Sequence, residues 1–275
     1  MQIKHLQLSA GPLYYRESGR GPALVLLHGI SSGAASWEPL AAHLPDYRLL
    51  AWDAPGYGQS QPLANPCPNA ADYVQRLEDW RQALDLESFV LVGHSLGAMV
   101  AAAYWRAYPE RLAGLVLASP AAGYQYAAQE KRATVYRSRF TQLQDMGHET
   151  YAAARAPHLL RRNASTEDIA QVQAGIERLN IDGFRQASWM LAEDAIANYL
   201  NTSLVLPGLV LCGGEDSITP PKGARELAQH LSLPYREIRG AGHACYIDAP
   251  LAFAAALRGF ATREKFATVN GRTSV

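Results

Sequence analysis

Hydrophobic residues in this chain fall into short, dense runs separated by polar and turn-forming segments, and the spacing switches between two periods along its length. Residues 23–27 (Ala-Leu-Val-Leu-Leu), 90–92 (Val-Leu-Val), 112–118 and 209–213 (Leu-Val-Leu-Cys-Gly) are nearly continuous apolar stretches. Strands of a parallel sheet covered on both faces read this way, because neither face meets water. Residues 47–52 and 235–238 predict two further strands, and 2–8 with 13–17, flanking Gly11-Pro12, predict an opening hairpin. Between the strands the period lengthens. Residues 70–86 place Val74, Leu77, Ala83 and Leu84 near helical spacing with charges between them. Helices are also predicted from Trp37 to Leu44, through the small-residue run 98–103, from Lys222 to Leu231 and from Pro250 to about Phe260. Strand–helix alternation of this kind makes an α/β fold with a mostly parallel sheet and helices on both faces.

One region breaks the alternation. From Gly123 to about Leu204 no strand pattern occurs, and the segment is rich in Ala, Gln, Arg and Tyr, with helical stretches near 126–145, 148–160, 166–179 and 183–200. The expected organisation is therefore a core of residues 1–122 and 205–275 carrying a helical insertion at 123–204. The polar tail from Thr262 predicts a frayed end.

Composition narrows the functional classes. A chain of 275 residues with 48% hydrophobic content is long enough to bury one large core. Lys plus Arg equals Asp plus Glu at 25 each, without a block of like charge, so neither nucleic acid nor an anionic membrane surface is indicated as a partner. No apolar run approaches the ~20 residues of a membrane span, and the first residues lack the layout of a signal peptide. Cys67, Cys212 and Cys245 form no CxxC pair and read as free thiols of a reducing compartment. The expectation is a soluble, cytoplasmic protein acting on a small molecule, with no metal or cofactor called for and the oligomeric state unread.

The chemistry is concentrated in Val90-Leu91-Val92-Gly93-His94-Ser95-Leu96-Gly97, where an apolar strand runs into Gly-x-Ser-x-Gly and then into a helix. A serine hydroxyl is a weak nucleophile unless it is held exposed beside a base, with donors waiting for the oxyanion it creates. The base should stand on the same sheet edge, where strand C-termini converge. His243, in Gly240-Ala241-Gly242-His243 just past strand 235–238, meets that requirement best of the eight histidines. The orienting acid should follow strand 209–213. Asp216 lies there, with Glu215 and Asp248 as rivals. The two oxyanion donors fall to the Leu96 N–H, directly after the nucleophile, and the Ile30 N–H in His28-Gly29-Ile30 after strand 23–27. His28 reads as a packed strand-end residue, Asp53 as a turn residue satisfying backbone N–H groups, and His94 as a buttress of the turn without chemistry of its own.

Taken together, His28-Gly29, Asp53-x-Pro-Gly-x-Gly-x-Ser60, Gly93-His-Ser95-Leu-Gly97, Gly214-Glu-Asp216 and Gly242-His243 resemble the α/β-hydrolase family, in order and over nearly the whole chain. The resemblance implies an α/β-hydrolase sheet of about eight strands with a helical cap between strands six and seven, which would be 123–204. It also implies a triad of Ser95, Asp216 and His243, with oxyanion donors from Ile30 and Leu96. Ser95 stands where dehalogenase and epoxide-hydrolase members carry Asp, which sets that chemistry aside. The expected reaction is hydrolysis of a small carboxylic ester, enol-lactone or thioester through an acyl-enzyme, as in relatives that degrade aromatic compounds. The alternatives are a C–C hydrolase of ring-cleavage products, a cofactor-free oxygenase or perhydrolase, and a non-catalytic receptor. The substrate pocket is expected to be mainly apolar and to take an apolar acyl compound, with Trp37, Tyr124, Trp189, Met190 and Ile218 as lining candidates and Ile30, Tyr126 and Tyr136 beside them. Arginines 132, 137, 139, 155, 161 and 162 read as solvated helix faces, with a substrate carboxylate as their alternative partner.

Overall fold

The computed structural model describes residues 1–200 and 207–263. Eight strands form one sheet: β1 (Gln2–Leu8), β2 (Gly11–Ser18), β3 (Ala23–Leu27), β4 (Arg48–Trp52), β5 (Phe89–His94), β6 (Leu112–Ala118), β7 (Gly208–Gly213) and β8 (Tyr235–Ile238). Their spatial order is β1-β2-β4-β3-β5-β6-β7-β8. The opening hairpin β1–β2 is antiparallel, β2 runs antiparallel to β4, and every later pairing is parallel. Every residue of β3, β5 and β7 is buried, the reason these segments carry no polar alternation.

The helices follow from local signals. Helix α1 (Glu38–Ala41) is short, preceded by a 3-10 turn at Ala34–Trp37. The predicted helix to Leu44 stops early because Pro45 disfavours helical geometry in the residue before it. Helix α2 (Ala70–Ala83) starts at a reciprocal cap: Asn69 accepts from the N–H groups of Ala71 and Asp72, while Asp72 accepts from the Asn69 N–H. Helix α3 (Leu96–Ala107) leaves directly from β5, and its residues Leu96–Trp105 are all buried. Its small side chains allow close packing. A Cβ on Gly97 would stand 2.5 Å from the Leu27 carbonyl oxygen and 2.7 Å from that of His28, so the first turn of α3 rests on the end of β3.

Between β6 and β7 lie α4 (Gln129–Met146), α5 (His148–Arg155), α6 (Thr166–Glu177) and α7 (Ile181–Glu193). Helix α4 packs on α7, and α5 on α6. The predicted helix 148–160 is divided at Arg155, where Pro157 turns the chain into a 3-10 segment, Ala156–Leu159. The predicted helix 183–200 begins earlier, capped by Asn180, and ends at Glu193, because Asp194 is extended and its side chain is committed elsewhere. The expected end of the insertion at Leu204 and most of the polar tail lie outside the described residues. After β7 come α8 (Pro221–His230), the unanticipated α9 (Cys245–Asp248) and α10 (Pro250–Arg263). Among the described residues no helix is long and apolar enough to cross a membrane.

Two buried carboxylates tie the helical segment to the core. Asp194 accepts from the Ala70 N–H at 2.8 Å and the Tyr199 hydroxyl at 2.7 Å through one oxygen, and from the Ala195 N–H and Asn198 amide through the other. Asp248 accepts from the Gly242 N–H at 2.7 Å and the Arg161 N–H at 2.8 Å. Between these anchors the backbones of Gly183 in α7 and Gly56 touch so closely that a Cβ on Gly183 would lie 1.9 Å from the Gly56 carbonyl oxygen. Asp194→Ala would remove the acceptor of four donors, two of them the buried N–H groups of Ala70 and Ala195, and the unsatisfied groups should cost about 3 kcal/mol in urea unfolding.

Candidate active site

Ser95 follows the last residue of β5 with φ 54 and ψ −116, a left-handed backbone that costs a non-glycine residue on the order of 1–3 kcal/mol. Packing holds it there: Ser95 N–H donates to the Ala118 carbonyl at 2.9 Å, and its own carbonyl accepts from Ala98 and Ala121. The turn projects the hydroxyl away from the sheet, and among the described residues it forms no hydrogen bond. Its oxygen opens onto a cavity of about 1120 Å³.

His243 and Asp216 stand on the same sheet edge. His243 Nδ1 donates to Asp216 Oδ2 at 2.9 Å, and both side chains are almost fully buried. The other carboxylate oxygen accepts from the Ile218 and Thr219 N–H groups, at 2.9 Å each. Burial alone would raise the Asp216 pKa, but the hydrogen bond and charge of His243 and the Thr219 donors hold it down at about 2. Asp216 is therefore an anion at neutral pH. The rivals have other surroundings. Glu215 is exposed and, among the described residues, accepts from the Arg162 N–H alone, at 3.3 Å, while Asp248 shapes the loop that carries His243. Thr219, three residues beyond Asp216, escaped the sequence reading. Its hydroxyl lies 2.8 Å from Asp216 Oδ2, 3.0 Å from the Ser119 carbonyl oxygen and 3.2 Å from His243 Nδ1. A threonine at that spacing after an acid was its only sequence signal.

The loop after β3 packs directly on the serine: a Cβ on Gly29 would come 3.0 Å from Ser95 Cβ. The N–H groups of Ile30 and Leu96 donate to no other group among the described residues, and both residues line the cavity. Tyr57, a further residue not singled out from the sequence, donates to the Ile30 carbonyl at 2.8 Å and so fixes this loop from behind. His28 donates from Nδ1 to the Gly29 carbonyl and accepts the Ala54 N–H on Nε2, and burial lowers its pKa, so it is a neutral structural residue. Asp53 accepts the Ala34 N–H at 2.8 Å. His94 donates from Nε2 to the His243 carbonyl at 2.8 Å. Burial and the neighbouring His243 push its pKa down to about 3, leaving a neutral ring behind the base.

The cavity lies between this sheet edge and the helical segment. Tyr124, Tyr126, Ile30 and Ile218 line it, but Trp37, Trp189 and Met190 do not. Trp37 is fully buried and stacked on Tyr246 with ring centroids 4.0 Å apart, and Tyr246 presents itself to the cavity instead. Trp189 packs edge-on against Tyr136, and Met190 is on the buried face of α7. All three are apolar residues on helices or turns whose apolar side faces protein, which spacing alone does not separate from a pocket wall.

The model of the alpha/beta hydrolase fold matches residues 22–250. The chain belongs to the α/β-hydrolase fold family. This α/β-hydrolase is similar to 2-succinyl-6-hydroxy-2,4-cyclohexadiene-1-carboxylate synthase of Serratia proteamaculans (strain 568), with 27% identity over 259 residues, 87% of this chain and 92% of that protein. A shorter match, 37% identity over 101 residues, is to the abhydrolase domain-containing protein abhd-5.2 of Caenorhabditis elegans, and takes in 35% of this chain and 23% of that one. A solved thermophilic esterase from Thermogutta terrifontis superposes with a TM-score of 0.84 at 25% identity, over 96% of this chain and 99% of that chain.

The Asp216 environment predicts an acid-stability signature. With a pKa of about 2 against an ordinary 3.8, the folded state favours the carboxylate. That contribution is complete above pH ~4 and is lost as pH falls through about 2, and it amounts to on the order of 2 kcal/mol. Urea unfolding between pH 2 and 6 should show the acid-side slope flattened by that amount in Asp216→Asn.

Proposed function

We propose that this α/β-hydrolase is a serine hydrolase that cleaves a small carboxylic ester, enol-lactone or thioester through an acyl-enzyme on Ser95. The observation that carries the reading is His243, bonded to the buried Asp216 at 2.9 Å and lining one cavity with the strained Ser95. In the mechanism, the His243 ring removes the Ser95 proton as the hydroxyl attacks the substrate carbonyl, and Asp216 stabilises the imidazolium that forms. The Nδ1–H bond to Asp216 leaves Nε2 as the basic nitrogen. The negative charge on the tetrahedral intermediate falls to the unused N–H groups of Ile30 and Leu96. His243 then returns the proton to the leaving group, and water, activated by the same ring, releases the acid.

The helical segment 123–204 is proposed to act as the cap, because α4, α5 and α6 supply one wall of the cavity while the sheet edge supplies the other. The family match and the esterase likeness support an acyl-transfer chemistry of this kind without naming the acyl group.

Ser95→Ala should abolish turnover of short p-nitrophenyl esters and the single fluorophosphonate adduct seen by intact mass, with an unchanged circular dichroism spectrum. Persistent turnover in that variant removes the acyl-enzyme model. Asp216→Asn should lower kcat by roughly 10²–10⁴. An equal loss in Glu215→Gln would reassign the acid.

A further inference from the structure

The six arginines of the helical segment that the sequence left open are sorted by their neighbours. Arg132 pairs with Glu193 at 3.0 Å, and Arg161 reaches Asp168 and Asp248. Arg137 and Arg162 are exposed and do not line the cavity. Arg139 and Arg155 behave differently. Both are half-buried, both line the cavity that holds Ser95, and neither has a carboxylate within ion-pair distance among the described residues. Arg139 uses one of its donors on the Val135 carbonyl of its own helix, at 3.0 Å.

The charges around the cavity are unevenly placed. Its two lining glutamates, Glu38 and Glu226, are already engaged by Arg16 and Lys222. The wall formed by the helical segment carries Arg139, Arg155 and Arg178 and no carboxylate. Burial and the positive charge of Arg155 push the Arg139 guanidinium below its usual pKa, so the fold pays to keep two like charges together. Unpaired guanidinium groups in a partly water-excluded wall are relieved by a ligand that brings negative oxygens, and two planar forks suit a carboxylate.

From this juxtaposition we propose that Arg139 and Arg155 form an anion subsite that binds a carboxylate on the substrate, remote from the carbonyl attacked by Ser95. The substrate class becomes an acyl compound with an anionic end, such as a dicarboxylic half-ester, rather than a wholly apolar one. The assignment rests on the serine-hydrolase reading for its reaction but not for its binding.

The test compares p-nitrophenyl hemiglutarate with p-nitrophenyl valerate, and separately titrates glutarate and inorganic phosphate into the protein by calorimetry. The ratio of kcat/KM for the charged to the neutral ester should exceed one in the native chain. It should fall roughly 10–100-fold in Arg139→Gln and in Arg155→Gln, chiefly through KM, and stay unchanged in Arg137→Gln. The two variants remove the charge from different helices, so a folding defect in one leaves the other informative. Glutarate should bind the native chain, weaken at least tenfold in either variant, and weaken with added salt. An ester ratio indifferent to both substitutions, or absence of glutarate binding, overturns the subsite. Phosphate binding in preference to glutarate overturns the carboxylate assignment. Glutarate binding that depends on Arg139 and Arg155 in a chain that hydrolyses neither ester and takes no fluorophosphonate would retain the subsite and discard the hydrolase reading.

Discussion

The left-handed backbone at Ser95 is the constraint on which the site depends. A serine held there is strained, and the burial of β5 and α3 on either side, with the backbone hydrogen bonds to Ala118, Ala98 and Ala121, keeps the turn closed. Closing the turn has several consequences at once. The Leu96 N–H is freed at the start of α3, the loop after β3 is pressed against the serine, and His94 is placed under the carbonyl of His243. A change that relaxed this one residue would therefore move the nucleophile, an oxyanion donor and the support of the base together.

Three buried aspartates in the chain show how surroundings assign roles to one side-chain type. Asp216 faces two backbone donors, the Thr219 hydroxyl and an imidazole, and those donors outweigh its burial, so it remains ionised beside the base. Asp194 meets four donors from both sides of the joint between helical segment and core, and works as a rivet. Asp248 is bonded to two backbone N–H groups, yet burial prevails and its pKa is raised. It holds the glycine preceding His243 at a fixed distance from Arg161. The loop of the base and the chain just after the 3-10 turn Ala156–Leu159 are thus held by the same carboxylate.

The neutral overall composition conceals a local asymmetry. Equal numbers of acids and bases give no hint of a charged ligand, and most cationic side chains of the helical segment are paired or exposed. The cavity wall is the exception, where guanidinium groups gather without acids. Net charge describes the solvated surface of a protein, whereas recognition depends on which charges are left without a partner in a partly dry space.

Much of this protein was legible in its residues. The apolar runs set the parallel strands, the break in alternation set the helical region between β6 and β7, and Gly-x-Ser-x-Gly after a strand located the turn, because each depends on near neighbours in sequence. Asp216 was preferred to Glu215 from its place before Ile218-Thr219-Pro220 and from the family resemblance, but the His243 donor that singles it out comes from a residue that only folding brings near. The same holds for Thr219 and Tyr57, whose hydroxyls act on residues reached through folding, and for Trp37, Trp189 and Met190, whose apolar faces turned towards protein instead of the cavity. Local pattern determines the elements and the turn that strains Ser95. Which carboxylate meets His243, which arginines lack a partner and which side chains face the cavity were decided only when strands and helices far apart in the chain were brought to one edge of the sheet, because pairing and burial are properties of that arrangement.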